Sequence, residues 1–432
     1  MTLEKSHRRS FLQTASTAAL AGGLLTALPV ARAAHAAGDD TLKVGLVGCG
    51  GRGTGAAVDT LKADSNVRLV AMADLFADRL QDSLKSLKAN SALATRVEVA
   101  AEKQFVGFDA FKQLLETNVD VVLLATPPHF RPMHLKAAIE AGKHVFAEKP
   151  VAVDAPGVRS VLATCAEAKK KNLSVVSGLC LRNHYGIREL AARVADGAIG
   201  KIHTMQASDY RGGIWYKPRE KDWTDMHYQL RNWYYYTWLS GDFNVEQHIH
   251  FLDVCAWVKG NEYPIAAVGM GGRQQRTGAE YGNIYDHHSV AYEYADGTRF
   301  YSFTRQIPNC WGDMSARFVG EEGVAEVREK KDGMNIHGKK LDWVYQGVDN
   351  NIYVTEHEEM YAALRAGKTI NHGDYMAKST LLAILGRMAT YTGKRITWEQ
   401  AMNSKEDLSP ESYAWGPAPE AEIAIPGVTK FK

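Results

Sequence analysis

A glycine-rich turn at residues 42–53 constrains the fold more than any other feature of the chain. An apolar, strand-like run leads directly into glycines at GxGxxG spacing, and a helix-like segment follows at 54–62. In such a turn the first glycine permits a tight bend, the second lets the backbone approach a pyrophosphate, and the third lets the helix pack against the strand. We therefore expect phosphates to face the free N–H groups of the helix start. The residues assigned to this cofactor site are Gly48, Gly50, Gly51, Arg52 and Gly53.

An acidic residue at the end of the next strand supports a dinucleotide. The apolar run at 67–73 ends at Asp74, 21 residues after Gly53. A carboxylate at this place can accept both ribose hydroxyls of NAD, and its charge repels the 2′-phosphate of NADP. Because Arg52 and Arg79 could offset that charge, NADP stays an alternative. A glycine turn in another kind of doubly wound domain is the remaining interpretation.

The 432 residues are too many for one ordinary core and predict two domains. Apolar strands alternate with helical segments over 40–177, which predicts a Rossmann domain with a parallel α/β sheet and right-handed crossovers. Ligands of such sheets lie at the carboxyl ends of strands, here at 126–130 and 148–150. Residues 178–432 predict a second α+β domain with a mainly antiparallel sheet, because Asp296-Gly297 lies between two strand-like runs.

The N-terminus carries a targeting pattern. Arg8 and Arg9 precede an apolar segment of small residues at about 15–30, and A-x-A sites follow at 31–33 and 34–36. Residues 1–36 therefore resemble a twin-arginine signal peptide, which predicts export to the periplasm by the Tat machinery. An anchoring transmembrane helix is less favoured, because the run is short and interrupted by Gly22 and Gly23.

Charge and cysteine content exclude several classes of partner. The formal net charge is +2 without a basic stripe, so we expect no nucleic acid. The five cysteines are widely spaced and contain no CxxC, which is typical of buried thiols rather than a zinc site or a disulfide framework.

Two short motifs at strand ends carry the strongest resemblance. Thr126-Pro127-Pro128-His129 and Glu148-Lys149-Pro150, together with the glycine turn, resemble the Gfo/Idh/MocA family of oxidoreductases. The resemblance implies a Rossmann domain followed by a domain with an open-faced sheet, and hydride transfer between a nicotinamide and a carbon that bears a hydroxyl or carbonyl. It implies a homo-oligomer built through the open sheet face. It also places Thr126, Pro127, His129, Glu148 and Lys149 at the cofactor.

The family carries a second motif, roughly GGxxxDxGxHxxD, whose Asp and His line the substrate site. The corresponding stretch here is 240–253, in which Glu246 replaces the Asp, His248 replaces a glycine and His250 keeps the histidine. These departures predict a larger carboxylate and an extra imidazole beside the substrate. The substrate of a relative therefore does not transfer directly to this chain.

The chemistry of the predicted reaction assigns roles to these groups. Removing a hydride from a carbinol carbon requires a base for the hydroxyl proton, and an imidazole can serve. We assign His250 as acid/base and Lys149 as the charge that polarises the reacting oxygen, with Glu246 as a third catalytic residue; the reverse division between His250 and Lys149 stays open. Helical spacing pairs Glu246 with His250 but directs His248 elsewhere, so no metal site is predicted.

Further polar residues are candidates for binding the substrate. Arg182 and Asn183 follow the last strand of the first domain, Tyr216 belongs to an aromatic segment at 210–240, and His287 precedes a strand of the hairpin. Arg211 is a weaker candidate. The alternatives are an inter-domain hydrogen bond for Arg182 and Asn183, a core or subunit interface for the aromatic segment, and a surface loop for His287.

Location and chemistry together predict a cofactor that is never exchanged. The Tat route carries folded proteins, and the periplasm offers no obvious pool of free NAD. We therefore expect an exported sugar or polyol oxidoreductase with tightly bound nicotinamide. The alternatives are a redox-neutral glycosidase or epimerase that works through a transient keto-sugar, and a non-catalytic ligand sensor.

Overall fold

The first half of the chain forms a parallel sheet in the computed structural model, which describes residues 40–328 and 332–432. Its strands are β1 (Leu42–Val47), β2 (Val67–Asp74), β3 (Gln104–Val106), β4 (Val121–Leu124), β5 (His144–Ala147) and β6 (Val175–Ser177). The connecting helices are α1 (Gly51–Ala63), α2 (Ala77–Ala89), α3 (Ala110–Leu115), α4 (Arg131–Glu140) and α5 (Ala155–Lys170). The order β3-β2-β1-β4-β5-β6, with all pairs parallel, confirms the predicted Rossmann topology. The predicted signal at 1–36 lies outside the described residues.

The sheet is buried on both faces because helices cover each side. Val44 and Leu46 of β1 are fully buried, and α1 buries Ala56, Ala57 and Leu61. Strands enclosed in this way read as continuous apolar runs, which is why the sequence indicates them clearly.

After β6 the described part of the chain builds a second, nine-stranded sheet. Its strands are β7 (Ile202–Arg211), β8 (Ala266–Gly272), β9 (His287–Glu293), β10 (Arg299–Gln306), β11 (Asp313–Gly320), β12 (Gly323–Arg328), β13 (Met334–Gly338), β14 (Asp342–Val344) and β15 (Ile396–Thr397). The helices are α6 (Tyr185–Ala195), α7 (Asp225–Arg231), α8 (Thr237–Ser240), α9 (Phe243–Glu246), α10 (Ile249–Val258), α11 (Ile352–Arg365), α12 (Gly373–Thr392) and α13 (Trp398–Asn403). The order is β14-β13-β12-β11-β7-β10-β9-β8-β15, with β7 and β10 parallel and the other pairs antiparallel, which confirms the mainly antiparallel sheet.

The two faces of this second sheet differ in exposure. Phe300 and Ser302 of β10 are buried on the face where α10 and α12 pack. Tyr301, between them, is exposed on the opposite face, and Met270 of β8 is 74% exposed. The predicted open face is confirmed.

The chain returns to the first sheet after β14. Helix α11 packs on α1, where Nδ1 of His357 lies 2.9 Å from Oγ1 of Thr60 and Arg365 pairs with Asp64. Residue 371 then bridges to β6. The boundary predicted at 177/178 separates the two sheets, whereas the helices after β14 pack against both, so the domain limits stay a prediction. Among the helices of residues 40–328 and 332–432, none has the length and apolarity to cross a membrane.

Candidate active site

The glycine turn requires glycine for steric reasons. Gly48 has a φ of 96°, and a Cβ there would lie 2.6 Å from the backbone nitrogen of Thr126. A Cβ on Gly53 would lie 1.8 Å from the carbonyl oxygen of Gly48. The close packing of α1 on β1 therefore depends on Gly53, which supports the turn from behind. Helix α1 begins at Gly51, and its N-terminus suits a phosphate.

A cavity of about 490 Å³ opens beside this turn. Seven of the predicted cofactor residues line it: Gly48, Gly50, Gly51, Arg52, Asp74, Thr126 and Pro127. Arg79 lines the cavity as well. So do Phe76 and Phe108, whose aromatic side chains suit the faces of an adenine ring. The volume lies within the range of small-ligand and cofactor sites. These residues fit a dinucleotide.

Asp74 joins the turn to the end of β2. Its Oδ2 accepts a hydrogen bond from the backbone nitrogen of Cys49 at 2.6 Å, and Oδ1 accepts one from that of Phe76 at 2.8 Å. Burial raises the pKa of Asp74, and these backbone bonds oppose the shift. The carboxylate therefore has a fixed place at the edge of the cavity.

Arg52 links the cofactor cavity to the strand end that carries Lys149. Its Nε donates to Oε1 of Glu148 at 2.5 Å, its Nη2 donates to Oδ2 of Asp59 at 3.2 Å, and its guanidinium lies 4.8 Å from the ring centre of Tyr353. Since two carboxylates already neutralise Arg52, it does not offset the charge of Asp74 toward a 2′-phosphate. Of the two arginines predicted to offset the charge of Asp74, Arg79 remains a candidate, and it lines the cavity.

Besides Gly53, three of the predicted cofactor residues do not line the cavity. Glu148 is buried and reaches the turn through Arg52, and Lys149 is directed to Glu246 instead. His129 does not line the cavity either: its Nε2 lies 2.8 Å from the hydroxyl of Tyr413, and its assignment to the cofactor stays a prediction. Burial lowers the pKa of His129 to about 4.

Lys149 and Glu246 meet between the two sheets. Nζ of Lys149 donates to Oε1 of Glu246 at 3.0 Å and to the carbonyl oxygen of Glu246 at 2.8 Å. Both side chains are nearly buried. Glu246 therefore fixes the ammonium of Lys149, and the preceding residue, Glu148, pairs with Arg52.

The imidazole of His250 is available to accept a proton. It lies in the first turn of α10, and neither ring nitrogen makes a hydrogen bond within the described residues, while Nδ1 is buried. Burial lowers the pKa of His250 well below its ordinary value, and the charges of Lys149 and Arg211 lower it further. The ring is consequently neutral at neutral pH.

His248 lies beneath the site, so the expectation of an extra imidazole beside the substrate is wrong. A continuous helix through Glu246 and His250, which the helical spacing assumed, is broken at 247–248, between α9 and α10. The buried His248 ring places Nε2 2.8 Å from Oγ of Ser302 and Nδ1 3.9 Å from Oδ2 of Asp209. Asp209 also accepts a hydrogen bond from Arg211. Sequence reasoning missed Asp209, whose partners come from the break between α9 and α10 and from its own strand end.

Two of the predicted substrate ligands are occupied by protein partners. Arg182 forms a bidentate pair with Asp253, at 2.8 Å for both bonds, and its guanidinium lies 3.8 Å from the ring centre of Tyr375. Asn183 is buried, and its Oδ1 accepts from Arg188 at 2.7 Å. The bond from Arg182 to Asp253 of α10 favours the alternative of an inter-domain hydrogen bond for Arg182, and the substrate roles of both residues stay predictions.

The other two substrate candidates are accessible. Tyr216 is 40% exposed in the loop before α7, and its neighbours Trp215 and Lys217 line the cofactor cavity. His287 begins β9, and its Nδ1 lies 2.7 Å from Oδ1 of Asp286. Their roles stay predictions. Within residues 40–328 and 332–432, no group of three His, Cys, Asp or Glu side chains is placed to hold a metal ion.

The aromatic segment serves the cofactor side of the molecule. Most of its rings form a buried cluster that includes Tyr234, Tyr236 and Trp238. Trp215 and Trp233 line the cofactor cavity. The density of aromatic residues was the available signal, but the sequence did not indicate which ligand they face.

Comparison with known proteins agrees with this geometry. Residues 42–177 match the family model described as an oxidoreductase family with an NAD-binding Rossmann fold. The first sheet is therefore a nicotinamide dinucleotide domain, and the chain is an NAD(P)-dependent oxidoreductase.

Individual relatives extend over both sheets. The chain is 26% identical over 320 residues to inositol 2-dehydrogenase from Serratia proteamaculans, which covers 72% of this chain and 82% of that protein. It is 28% identical over 241 residues to a glycosyl hydrolase family 109 protein from Streptomyces coelicolor, covering 52% of this chain and 48% of that one. The aldose-aldose oxidoreductase structure from Caulobacter crescentus aligns with a TM-score of 0.65 at 18% identity, over 83% of this chain and 99% of that one. The structural match shows the same fold.

Proposed function

We propose that this chain, whose residues 42–177 are the Rossmann domain of a Gfo/Idh/MocA oxidoreductase, transfers hydride between a retained nicotinamide and a sugar or polyol. The observation that carries the proposal is the arrangement of Lys149, Glu246 and His250. An ammonium held by a carboxylate and a neutral imidazole lie at the strand end joined to the glycine turn. The similarity to an inositol dehydrogenase supports a polyhydroxylated substrate.

The side chains match the demands of the reaction. Oxidation of a secondary alcohol removes a hydride and a proton, and a bound nicotinamide would accept the hydride. The neutral ring of His250 accepts the hydroxyl proton, and the Lys149 ammonium stabilises the negative charge that develops on the oxygen. Glu246 positions Lys149. In the reverse direction His250 returns the proton.

Retention of the cofactor is supported by the C-terminal strap, which we define as residues 404–432. Within the strap, the ring centre of Trp415 lies 5.7 Å from that of Phe76, just after β2, and 5.0 Å from that of Phe108, just after β3. Both phenylalanines line the cofactor cavity. Trp415 therefore fixes the wall of the cavity from outside.

The strap is attached on both sides of this contact. The Tyr413 hydroxyl bonds His129, and the carbonyl oxygen of Gly416 accepts from the backbone nitrogen of Met226. Farther along, Tyr285 donates its hydroxyl to the carbonyl oxygen of Ala424 at 2.9 Å. With Trp215 and Trp233 also in its lining, the cavity is bordered by segments distant in sequence. Such a site favours slow exchange.

The experiment that tests retention is release of nicotinamide from the purified protein on denaturation. We expect close to one NAD(H) or NADP(H) per chain, identified by absorbance and mass. Trp415→Ala should lose bound cofactor during gel filtration, because it releases Phe76 and Phe108. The matched control is Trp311→Ala, which removes a 70% exposed tryptophan that does not line the cavity. A wild-type protein that purifies empty and binds NAD weakly would contradict retention and leave an ordinary dehydrogenase.

Export and assembly belong to the same proposal. The paired Arg8 and Arg9 support a periplasmic location reached through the Tat machinery, where a retained cofactor needs no external pool. Replacing both by lysine should leave the protein in the cytoplasmic fraction. Exposed Met270 and Tyr301 on the open sheet face support a homo-oligomer, which light scattering would detect.

A redox-neutral reaction is the second candidate. The similarity to a glycosyl hydrolase family 109 protein supports it, although the alignment spans about half of each chain. Such an enzyme would release the leaving group of a glycoside without net change of the cofactor. Product analysis with no added acceptor distinguishes the two: a keto-sugar supports oxidoreduction, and a free aglycone supports cleavage.

A further inference from the structure

A buried cluster of three side chains lies against the second sheet and has no role in the reaction described above. His248 places Nε2 2.8 Å from Oγ of Ser302 on β10 and Nδ1 3.9 Å from Oδ2 of Asp209 on β7. Within residues 40–328 and 332–432, neither that Nδ1 nor that Oδ2 has a hydrogen-bond partner. All three side chains are buried from solvent, so the ring is held against two strands and does not contact a substrate.

The backbone changes its hydrogen-bond pattern at His248. Its nitrogen donates to the carbonyl oxygen of Phe243 at 3.1 Å, five residues back, where an α-helix would use Asn244, four residues back. The regular pattern resumes with the backbone nitrogen of Leu252, which donates to the carbonyl oxygen of His248 at 3.2 Å. A turn with one extra residue is a π-bulge, a feature that kinks helices and recurs at functional sites. The residues of α9 and α10 therefore do not form one continuous α-helix.

This break leaves the carbonyl group of Glu246 without a helical donor. In a continuous α-helix that oxygen would accept from the backbone nitrogen of His250. Among the backbone nitrogens of the described chain none donates to it, and Nζ of Lys149 does so instead at 2.8 Å. The break therefore supplies one of the two acceptors that fix the Lys149 ammonium, and the Glu246 carboxylate is the other.

The local sequence does not account for the break. Residues 242–253 contain neither proline nor glycine, the residue types that most often kink a helix. Contacts with distant elements lie on both sides of the break instead. Before it, Nδ2 of Asn244 donates to the carbonyl oxygen of Ala383 on α12 at 2.9 Å. After it, the His248 ring bonds Ser302. The two sides are thus bonded to different elements, and His248 makes the bond to the second sheet.

We propose that His248 is a positioning residue: its bond to Ser302 holds the break that presents the Glu246 carbonyl oxygen to Lys149. This inference rests on the role proposed for Lys149 in hydride transfer. The carboxylate of Asp209 favours the imidazole tautomer that is protonated at Nδ1, so Nε2 accepts from the Ser302 hydroxyl. Because His248 acts through Lys149, its loss should slow the reaction more than it weakens substrate binding.

The test compares two amide variants of His248 in the NAD-loaded protein. In His248→Gln the side-chain amide reaches the place of Nε2 and keeps a partner for Ser302, whereas the shorter amide of His248→Asn does not. The substrates are myo-inositol, glucose, galactose, mannose and the methyl glycosides of these hexoses. Reduction of the bound cofactor is followed in a single turnover over a range of substrate concentrations.

The expected results differ between the two variants. His248→Asn should lower the maximal rate about ten- to hundredfold, in the range expected for a misplaced catalytic group, and change the half-saturating substrate concentration by less than about threefold. His248→Gln should retain most of the wild-type rate. Circular dichroism verifies that both variants fold.

A double-mutant cycle shows whether His248 acts through Lys149. In a Lys149→Ala background the Glu246 carbonyl has no ammonium to hold, so adding His248→Asn should cost no further rate. The control for a lost buried bond is Tyr292→Phe, which removes a hydroxyl that donates to the carbonyl oxygen of Leu382 at 3.1 Å. It should lower the thermal midpoint and leave the maximal rate within about twofold of wild type.

The outcomes separate this inference from the proposed function. A folded His248→Asn protein with the wild-type rate, or an equal loss of rate with and without Lys149, would overturn the positioning role while leaving hydride transfer established. No cofactor reduction by the wild-type protein with any of these compounds would overturn the proposed function itself. If His248→Asn does not fold, Ser302→Ala removes the partner of Nε2 and Ser302→Thr keeps the hydroxyl. The wild-type rate in folded Ser302→Ala would then overturn the positioning role.

Discussion

Nζ of Lys149 lies 3.0 Å from Oε1 of Glu246 and 2.8 Å from the carbonyl oxygen of the same residue. The two acceptors come from α9, whereas Lys149 follows β5 of the first sheet. The ammonium is therefore fixed by the second half of the chain at the strand end of the first half. The proposed chemistry at this point therefore depends on both halves.

The first prediction concerns this pair. Lys149→Ala should lower kcat by about 10²–10⁴-fold, the usual contribution of a positioned proton-transfer or charge-stabilising group. Glu246→Gln should cost less, because the carbonyl oxygen still accepts from Nζ, and should change the pH profile of kcat. Steady-state rates with cofactor content measured in parallel provide the test. The control is Glu167→Gln, which breaks the exposed pair with Lys170. Turnover within twofold of wild type in Lys149→Ala would refute the assignment.

The second prediction concerns the charge state of His250. Burial holds the pKa of His250 well below its ordinary value, so the ring accepts a proton throughout the neutral range. We expect kcat/KM to stay level as the pH falls from 8 to 6.5 and to decline only below that, with His250→Asn much slower and lacking this decline. Rates are compared over the pH range in which circular dichroism is constant. His203→Asn, at an exposed position paired with Glu321, is the control. An acid limb that persists in His250→Asn would assign it to another group.

The parts of the fold that could be predicted have strong local signals. The Rossmann strands are continuous apolar runs, and Gly48 and Gly53 are required by contacts within a few residues of the turn or with the adjacent strand. The short edge strand β3 was missed, because its residues are only partly buried and lack an apolar pattern. Strands β11–β14 were also missed, since several of their positions are half-exposed.

The site was predictable only where a motif carried it. Lys149, Glu246 and His250 came from the family resemblance, and the structure brings Lys149 and Glu246 together. The break between α9 and α10 was not foreseen, because it accompanies a bond from His248 to Ser302 on a distant strand. Asp209 gave no signal for the same reason: its importance arises from partners that only the folded chain brings near. Arg182 and Asn183 show the converse. They are polar residues just after the first sheet, and their side chains bond to other protein groups.

The third prediction distinguishes the steric requirement for glycine at position 53 from the effect of replacing another glycine in the same helix. In Gly53→Ala a Cβ would meet the Gly48 carbonyl oxygen at 1.8 Å, so α1 must move away from β1 and cofactor should be lost. Gly55→Ala, in the same helix, meets only the end of the Arg52 side chain at 3.4 Å and gains helix propensity. Cofactor stoichiometry and thermal midpoint measure the contrast. Full cofactor content in Gly53→Ala would show that the turn tolerates the displacement.

The fourth prediction concerns stability in acid. Burial lowers the pKa of His129 and His372 to about 4, and that of His134 and His357 to about 3. These groups titrate near 6.5 in the unfolded chain, so the unfolded state binds more protons below pH 6.5. Their effect is absent above that pH and destabilises the fold progressively as the pH falls toward 4, by about 1.4 kcal/mol per pH unit for each fully buried ring. Urea midpoints measured from pH 8 to 4.5 should fall accordingly.

One variant isolates this acid effect from the rest of the chain. Buried Asp74 and Glu356 have raised pKa values through burial, so their protonation opposes the histidines and the total slope alone does not identify its source. His357→Gln removes one ring while leaving a polar partner for Thr60. It should lower the midpoint at pH 8 but flatten the decline below pH 6.5. His337→Gln, at an exposed position beside Asp342, should leave the slope unchanged. Equal slopes in His357→Gln and wild type would show that the His357 ring is protonated in the folded protein.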